Sequence, residues 1–230
     1  MDDIDSNLAD IRAKIAASAE KSGRQPEAIT LIGVTKTIGA DRIKVMQTAG
    51  VNDFGENKVQ EILAKYPDFP DVRFHMIGHL QTNKVKSILD KVAMIHSVDS
   101  IKLAEEIAKK SSLAGKTTDI LIEINIAGEE SKYGVAPESA GEFALNVSAM
   151  AGVRLRGLMC VAPFVENPEQ NRAHFRRMKQ LFVDIRAKMN NNINMNHLSM
   201  GMTNDYEIAI EEGATIVRIG TGIFGERVYL

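Results

Sequence analysis

The sequence has little of several features that would assign its class at once. Among 230 residues there is one cysteine, Cys160, there is no tryptophan, and aromatic residues make up 5%. A lone cysteine excludes an intrachain disulfide framework, and so few aromatic rings argue against a protein that stacks single-stranded bases. No apolar run approaches the roughly 20 residues of a membrane-spanning helix. The acidic start lacks the basic region of a secretory signal, so we expect a cytoplasmic protein.

An excess of charge of one sign is also missing. The chain carries 28 lysines and arginines against 30 aspartates and glutamates, a net charge of −2. This balance argues against a nucleic-acid partner held by bulk electrostatic attraction. With 44% hydrophobic and 25% charged residues, the composition is typical of a soluble globular domain. We therefore predict no nucleic-acid or membrane partner, and we expect a monomer.

Short β-branched apolar runs alternate with helical patterns along the whole chain. The run at 29–34 is too short for a helix and is typical of a strand buried on both faces. Before it, the spacing of Leu8, Ile11 and Ile15 predicts an amphipathic helix. The predicted strands are 29–34, 53–54, 73–77, 93–97, 120–126, 155–161, 196–199 and 215–219. The predicted helices are 6–22, 41–49, 56–64, 83–90, 101–111, 137–150, 169–188 and 205–212.

This alternation predicts a parallel sheet, and eight strands predict its closure into an α/β fold, the (β/α)8 TIM barrel, with an extra N-terminal helix. In 230 residues such a barrel leaves little for a second domain, so we predict one domain over residues 1–230. The rival is an open doubly wound sheet, which would carry a glycine-rich dinucleotide fingerprint after its first strand. The sequence there, VTKTIG, is not such a fingerprint.

The C-terminal ends of the strands are where a barrel of this kind carries its function. The loops after the seventh and eighth strands form its usual phosphate site, because glycines let backbone N–H groups approach the anion and hydroxyls add donors. The residues of this kind are Ser199, Gly201, Met202, Thr203, Gly220 and Thr221. They predict a phosphate cradle; the alternative is that they are turn glycines and a helix cap.

Lys36 stands just after the first predicted strand. A lysine there can be a solvent-facing strand end, but in a barrel the same position lies in the mouth. A desolvated lysine near another cation has a lowered pKa, and its neutral amine forms a Schiff base with a carbonyl. A Schiff base beside a phosphate site suits two ligand classes, a sugar-phosphate aldol substrate and pyridoxal 5′-phosphate.

Arg218 lies within the last strand and faces opposite to Val217 and Ile219. A buried arginine without a partner is costly. One hypothesis is an ion pair with a core carboxylate such as Glu123, and the other is a hydrogen bond to the pyridine nitrogen of the cofactor. Because arginine does not release its proton, that nitrogen would stay unprotonated. The ring would then be a weaker electron sink than a pyridinium.

Short motifs spread from Val34 to Arg227 resemble those of a known family. They read VTKT, FGENKVQE, MIGHLQTNK, EESKYG, GLM, and LSMGMTND followed by VRIGTGIFGER. In this order and spacing they are similar to the motifs of the pyridoxal 5′-phosphate homeostasis protein family, which are single-domain relatives of the barrel half of alanine racemase. The resemblance implies a (β/α)8 barrel that holds pyridoxal 5′-phosphate as an internal aldimine.

Carried over residue by residue, the resemblance makes Lys36 the aldimine lysine and Arg218 the partner of the pyridine nitrogen. It places Asn57 near the cofactor ring or the lysine. It implies that the phosphate cradle is formed by Ser199, Gly201, Met202, Thr203, Gly220 and Thr221. His79 and Lys132 match motif positions at the mouth, and their roles stay open.

The expected activity follows from the number of bases in reach of the cofactor. A racemase needs one base on each face of the substrate α-carbon, and alanine racemase-like enzymes take the second, a tyrosine, from an additional domain for which this chain has no room. We therefore expect a carrier or buffer with little or no catalysis, which acts in pyridoxal phosphate (vitamin B6) and amino-acid homeostasis. Its partners would be pyridoxal phosphate-dependent apoenzymes or amino acids.

The alternatives are a pyridoxal phosphate-dependent amino-acid racemase and, more remotely, a Schiff-base aldolase. The scattered histidines predict no metal site.

Overall fold

Eight parallel strands form the frame of the computed structural model, which describes residues 3–129, 132–188 and 194–225. The strands pair in chain order, and β1 closes on β8, so the sheet is a barrel. The strands are β1 (Thr30–Val34), β2 (Asp53–Glu56), β3 (Arg73–Met76), β4 (Val92–Val98), β5 (Thr118–Glu123), β6 (Val153–Met159), β7 (His197–Met202) and β8 (Ile216–Ile219). The predicted (β/α)8 TIM barrel is confirmed.

Helices lie between the strands, as the sequence predicts. They are α1 (Ile4–Lys21), α2 (Ala40–Thr48), α3 (Val59–Lys65), α4 (Val85–Ile88), α5 (Ile101–Leu113), α6 (Ala140–Ser148), α7 (Arg172–Lys188), α8 (Tyr206–Glu211) and α9 (Thr221–Phe224). The expected extra N-terminal helix is α1, which begins where the Asp3 carboxylate accepts the backbone N–H groups of Asp5 and Ser6. The short helix α9 was not predicted. No helix within the described ranges is long and apolar enough to cross a membrane.

The end of β7 differs from the prediction. The sequence pattern ends this strand at Ser199, but the structure continues it to Met202. The register with β8 shifts between Ser199 and Met202, and Gly201 between them has a φ of 92°. A bulge at this glycine lets the pairing resume, since a positive φ costs glycine little. Gly201 and Met202 therefore belong to the strand and not to the loop after it.

Two kinds of side chain fill the inside of the barrel. Met94 of β4, Leu121 of β5 and Met159 of β6 form a small cluster, separate from the main core, against which Val161 packs; we call these four residues the apolar cluster. The main hydrophobic core is much larger and joins the outer faces of the strands to the helices. The other side of the interior is polar and is described with the site.

Candidate functional site

Lys36 is half-buried and lies two residues after the end of β1. Thr35, the residue between them, is held by hydrogen bonds to β2 and α3. The Thr35 hydroxyl donates to Oε1 of Glu56 over 2.5 Å. Lys65 Nζ donates to the Thr35 carbonyl over 2.7 Å and to Oε1 of Glu56 over 2.6 Å. Burial raises the pKa of Glu56, although the hydrogen bonds from Lys65 and Thr35 oppose the shift. The backbone that carries Lys36 is therefore tied to a buried acid–base pair.

The residue after Lys36 is held as well. The backbone N–H of Thr37 donates to Oε2 of Glu61 over 2.6 Å, and Lys65 Nζ reaches the same oxygen over 3.0 Å. Burial opposes ionisation of Glu61, but these two hydrogen bonds outweigh it and lower the pKa of this carboxyl. Thr37 adopts a φ of 63°, which is uncommon for a residue with a Cβ. The strained backbone around Lys36 is thus fixed from both sides.

The sequence does not single out Glu56, Glu61 and Lys65, the three residues that hold the backbone on either side of Lys36. Glu61 and Lys65 are spaced i, i+4 on α3, which is the usual spacing of an ion pair on a helix surface. Nothing in that spacing indicates that the pair reaches the backbone after β1, because α3 and this segment meet only in the folded barrel. The Oε2 atom of Glu56 is buried without a hydrogen-bond partner among the described residues.

Arg218 of β8 points into the barrel and is 3% exposed. Its Nη1 donates to Oγ of Ser199 over 2.5 Å, and its Nη2 donates to the carbonyl of Cys160 over 2.9 Å. In the part of the chain that the structure describes, these two groups are its hydrogen-bond partners and no carboxylate pairs with it, so Arg218 does not form the ion pair with Glu123 that the sequence allowed. Burial lowers the pKa of Arg218, against the smaller opposing effects of Cys160, Glu123 and a nearby aspartate. The structure therefore holds a buried guanidinium without a paired anion.

A line of hydrogen bonds continues from Arg218 across the interior. Ser199 Oγ lies 3.1 Å from His96 Nδ1, and His96 Nε2 lies 3.0 Å from His75 Nδ1. His75 Nε2 then lies 2.8 Å from Oδ1 of Asp53. The bond from β4 to β7 joins strands that are not neighbours, so it crosses the inside of the barrel. We call these five residues, Asp53, His75, His96, Ser199 and Arg218, the polar column.

The loops after β7 and β8 meet at the predicted phosphate cradle. Thr203 Oγ1 accepts the backbone N–H of Gly222 over 3.2 Å. Gly220 precedes α9, and Thr221 is the first residue of that helix and is exposed. A Cβ on Gly222 would lie 3.2 Å from the Thr203 methyl, so the two loops are in close contact. The structure thus brings Thr203, Gly220 and Thr221 together.

Other predicted members of the cradle have different partners. The Ser199 hydroxyl lies in the polar column and is fully buried. The backbone N–H of Met202 donates to Oδ1 of Asp205 over 2.8 Å. A Cβ on Gly201 would lie 2.6 Å from the Ala209 methyl, so this glycine lets α8 approach β7. The contacts of Ser199, Gly201 and Met202 are therefore with neighbouring parts of the protein, and these residues support the cradle.

The rim of the mouth carries the remaining predicted residues. His79 Nδ1 lies 3.1 Å from Oδ2 of Asp99, and its ring stacks on Tyr133 with a centroid distance of 3.9 Å. Lys132 Nζ donates to Oε1 of Glu129 over 2.7 Å. The loop after β5 therefore reaches across to the loop after β3.

Asn57 and Glu123 complete the mouth. Asn57 follows β2 and is half-buried, and a Cβ on Gly78 would lie 2.5 Å from its carbonyl oxygen, so the ends of β2 and β3 pack tightly. Burial raises the pKa of Glu123 at the end of β5 to about 7, with a further contribution from the charge of Asp99. The mouth thus holds an amine, a carboxyl group that titrates near neutral pH and a guanidinium below them.

A comparison with known families matches residues 6–228 to the model described as "Alanine racemase, N-terminal domain". A pyridoxal phosphate homeostasis protein of Aquifex aeolicus is 43% identical over 224 residues, which is 96% of this chain and 97% of that protein. The family predicted from the motifs is confirmed.

Two solved structures place these similarities in space. PipY of Synechococcus elongatus with pyridoxal phosphate bound superposes with a TM-score of 0.84 at 30% identity, covering 97% of this chain and 100% of that one. An alanine racemase of Clostridium difficile superposes with a TM-score of 0.73 at 14% identity. The match covers all of this chain and 58% of the racemase, and at this identity it shows the fold alone.

Proposed function

The chain belongs to the pyridoxal phosphate homeostasis protein family, which has the barrel of the alanine racemase N-terminal domain, and from this premise we propose that it is a pyridoxal 5′-phosphate carrier. In this proposal Lys36 holds the cofactor covalently, and the protein buffers its intracellular supply with little or no catalysis. The cofactor supplies an aldehyde that condenses reversibly with amines and releases water.

The observation that carries the proposal is the unpaired guanidinium of Arg218. Arginine only donates hydrogen bonds and stays charged, and a carboxylate beside it would be the usual partner inside a protein. The described residues offer it a hydroxyl and a carbonyl instead. A ring nitrogen that accepts a hydrogen bond fits the N–H donors that remain on the guanidinium. Ile32 of β1 is the register partner of Arg218, so this donor lies beside the strand that precedes Lys36.

The loops after β7 and β8 fit the phosphate group. Thr203 and Thr221 supply hydroxyls, and the backbone at Gly220 and Gly222 has no Cβ to keep an anion away. We assign Ser199 to holding Arg218, because its oxygen already accepts from the guanidinium. Gly201 and Met202 support this cradle through their backbone.

The residues around Lys36 fit a lysine that must stay in one place. Thr35 and Thr37 on either side are bound to Glu56, Glu61 and Lys65, so little of the backbone moves when the amine reacts. Asn57 would lie beside the ring or the lysine. His79 and Lys132 would line the entrance through which an acceptor amine, from an amino acid or an apoenzyme, approaches.

Two tyrosines at the rim, Tyr133 and Tyr206, support a carrier over a racemase. Tyr133 is 58% exposed and stacked on His79, and Tyr206 is 5% exposed. Burial raises the pKa of Tyr206 to about 12, so it is a poor base at neutral pH. Neither a buried, protonated Tyr206 nor a Tyr133 that is stacked on His79 fits the second base of a racemase. We further propose that residues 1–230 form one domain that acts as a monomer in the cytoplasm.

The test is the visible absorption spectrum of the purified protein after addition of pyridoxal 5′-phosphate, before and after borohydride. Wild type should gain a visible band that borohydride removes, and Lys36→Ala should gain none. Lys58→Ala removes an exposed lysine near Asn57 and should behave as wild type. A wild type without the band, or a Lys36→Ala variant that keeps it, would overturn the proposal.

Carrier and racemase are separated by exchange of the α-proton of L-alanine with deuterated solvent, measured by NMR. A carrier exchanges no more than a few protons per protein. Many exchanges per protein that are lost in Lys36→Ala would establish the racemase instead.

A further inference from the structure

The polar column joins the two ends of the barrel through its interior. Arg218 is at the end that carries Lys36, and Asp53 begins β2 at the opposite end. His75, His96 and Ser199 between them are 5%, 0% and 0% exposed. Each neighbouring pair is within 3.1 Å, so no gap for a bridging water separates them. The column is therefore a continuous set of direct hydrogen bonds.

With both histidines neutral, the chemistry of the two ends gives every bond in the column one direction. Arg218 at one end has only donors, and the Asp53 carboxylate at the other end has only acceptors. Asp53 also accepts two hydrogen bonds from Arg73, at 2.8 and 2.5 Å. A chain between a donor-only and an acceptor-only group is satisfied when each member accepts on one side and donates on the other.

The positions of the protons follow from this direction. Ser199 Oγ accepts from Arg218 and gives its own proton to His96 Nδ1. His96 then carries its proton on Nε2 and donates it to His75 Nδ1, and His75 donates from Nε2 to Asp53. Burial lowers the pKa of His96 well below 6.5, assisted by the charge of Arg218, so His96 is neutral, as this arrangement requires.

Resting on the proposed function for its cofactor, we infer that His96 is a positioning residue that orients Arg218 through Ser199. By taking the Ser199 proton on Nδ1, it turns the lone pairs of the hydroxyl toward the guanidinium. Without this acceptor the hydroxyl proton is free to rotate toward Arg218 and repel it. In this arrangement His96 acts through the column, by its contacts with Ser199 and His75.

The apolar cluster on the other side of the interior shows that a stable barrel does not require buried polar groups such as those of the polar column. Met94 lies two residues before His96 on β4, and strand alternation gives both the same face. Met94 packs with Leu121 and Met159, and this filling needs no directional bond. A buried polar network is costly unless every member is satisfied. Its presence on the side of Arg218 points to a role in holding that side chain.

The first test uses nitrogen NMR of the wild-type protein without cofactor. Chemical shifts of the histidine ring nitrogens report which one carries the proton. The inference expects His75 and His96 to be neutral, with the proton on Nε2 in both. A cationic His96, or a proton on its Nδ1, would overturn the column's direction and with it the inference.

The second test compares four proteins by their visible band and their dissociation constant for pyridoxal 5′-phosphate. His96→Leu removes the acceptor, and His96→Gln keeps one acceptor and one donor. Met94→Leu is the matched control on the same strand and face. His96→Leu should shift the band and weaken binding about tenfold, His96→Gln should restore most of both, and Met94→Leu should match wild type.

If His96→Leu does not fold, Ser199→Ala replaces it in this test. This variant lacks only the hydroxyl oxygen that joins His96 to Arg218, and it should shift the visible band in the same way. A folded His96→Leu or Ser199→Ala with the band and affinity of wild type would overturn the inference. A wild type that never forms a band would overturn the proposed function instead. In that case the tautomers seen by NMR still decide the inference about the column.

Discussion

The two sides of the barrel interior follow opposite packing rules. The polar column on β2, β3, β4, β7 and β8 is held by directional hydrogen bonds. The apolar cluster on β4, β5 and β6 is stabilised by close packing and by the burial of apolar surface. Both face the same enclosed space, and β4 contributes to both, through His96 and Met94. The comparison teaches that the apolar cluster contributes stability and tolerates side chains of similar volume. The polar column, in our inference, fixes the orientation of Arg218.

This difference makes separable predictions. Changes on the apolar side should alter the free energy of unfolding and leave the bound cofactor as it is. Changes on the polar side should alter the cofactor or the pH dependence of stability. The predictions below are ordered by their expected effect on stability. The first substitution separates two strands of the barrel, and the last removes an exposed side chain at the end of the polar column.

The largest effect is expected for Gly157→Ala in β6, at the seam between the two sides. A Cβ there would lie 1.7 Å from the backbone carbonyl oxygen of His197 in β7. The strands must separate, so we expect a loss of roughly 4 kcal/mol or more in the free energy of unfolding, measured in urea. Gly141→Ala in α6, where nothing lies within 4 Å, should be neutral or stabilising. A Gly157→Ala protein as stable as wild type would contradict the tight seam.

Leu121→Ala tests the apolar cluster itself. Leu121 is fully buried, and its truncation leaves a cavity, so about 2–5 kcal/mol should be lost. Leu121→Met keeps the volume and should cost less than about 1.5 kcal/mol. Urea unfolding measures both, and the visible band of the bound cofactor should not move in either. A shifted band in Leu121→Met would show that the two sides are not separable.

Glu123→Gln tests the boundary between the two sides at the mouth. Folding raises the pKa of Glu123 to about 7, so the folded state favours the protonated carboxyl. Its contribution to the free energy of unfolding is full below the unfolded pKa of about 4.3 and is lost as the pH rises through 7. The variant should lack this decline and be more stable than wild type at pH 8 by roughly 1–2 kcal/mol. Glu142→Gln, which changes an exposed residue of α6, should keep the decline. Unfolding in urea at pH 5, 6.5 and 8 measures it.

Asp53→Asn tests the lower end of the polar column. Burial opposes ionisation of Asp53, but hydrogen bonds from His75 and Arg73 outweigh it and lower the pKa. A lowered pKa gives stability that is present above the unfolded value of about 3.9 and is lost as pH falls through the folded value. Wild type should therefore lose on the order of 1 kcal/mol below about pH 4, and Asp53→Asn should lose less. Equal acid sensitivity of the two proteins would contradict the assignment.

The smallest effect is expected for Arg73→Gln. The Arg73 side chain is 65% exposed, and solvent-exposed ion pairs contribute roughly 0–1 kcal/mol. His75 still donates to Asp53 in this variant, so the column stays closed. We expect a change below about 0.5 kcal/mol in urea unfolding and an unchanged cofactor band. A shifted band would show that the column depends on its exposed end.

Much of the fold could be predicted because its signals are local. The β-branched runs and the helical spacing between them depend on residues a few positions apart, and they placed all eight strands. Where local pattern failed, a backbone feature intervened, as at Gly201, whose positive φ lets β7 continue past the predicted end. The motifs at the strand ends likewise predicted the family from the sequence alone.

The partners within the site could not be predicted, because they join residues far apart in the chain. His96 and Ser199 are 103 residues apart, and Thr35 and Glu56 are 21 apart. Which of two facings Arg218 adopts depends on the register of β8 against β1. The sequence therefore determined the strands, the barrel and the residue types at its mouth, through periodicity and short motifs. The tertiary structure alone decided that Ser199 supports Arg218 and that two histidines cross the interior, because only closure of the sheet brings those strands within hydrogen-bond distance.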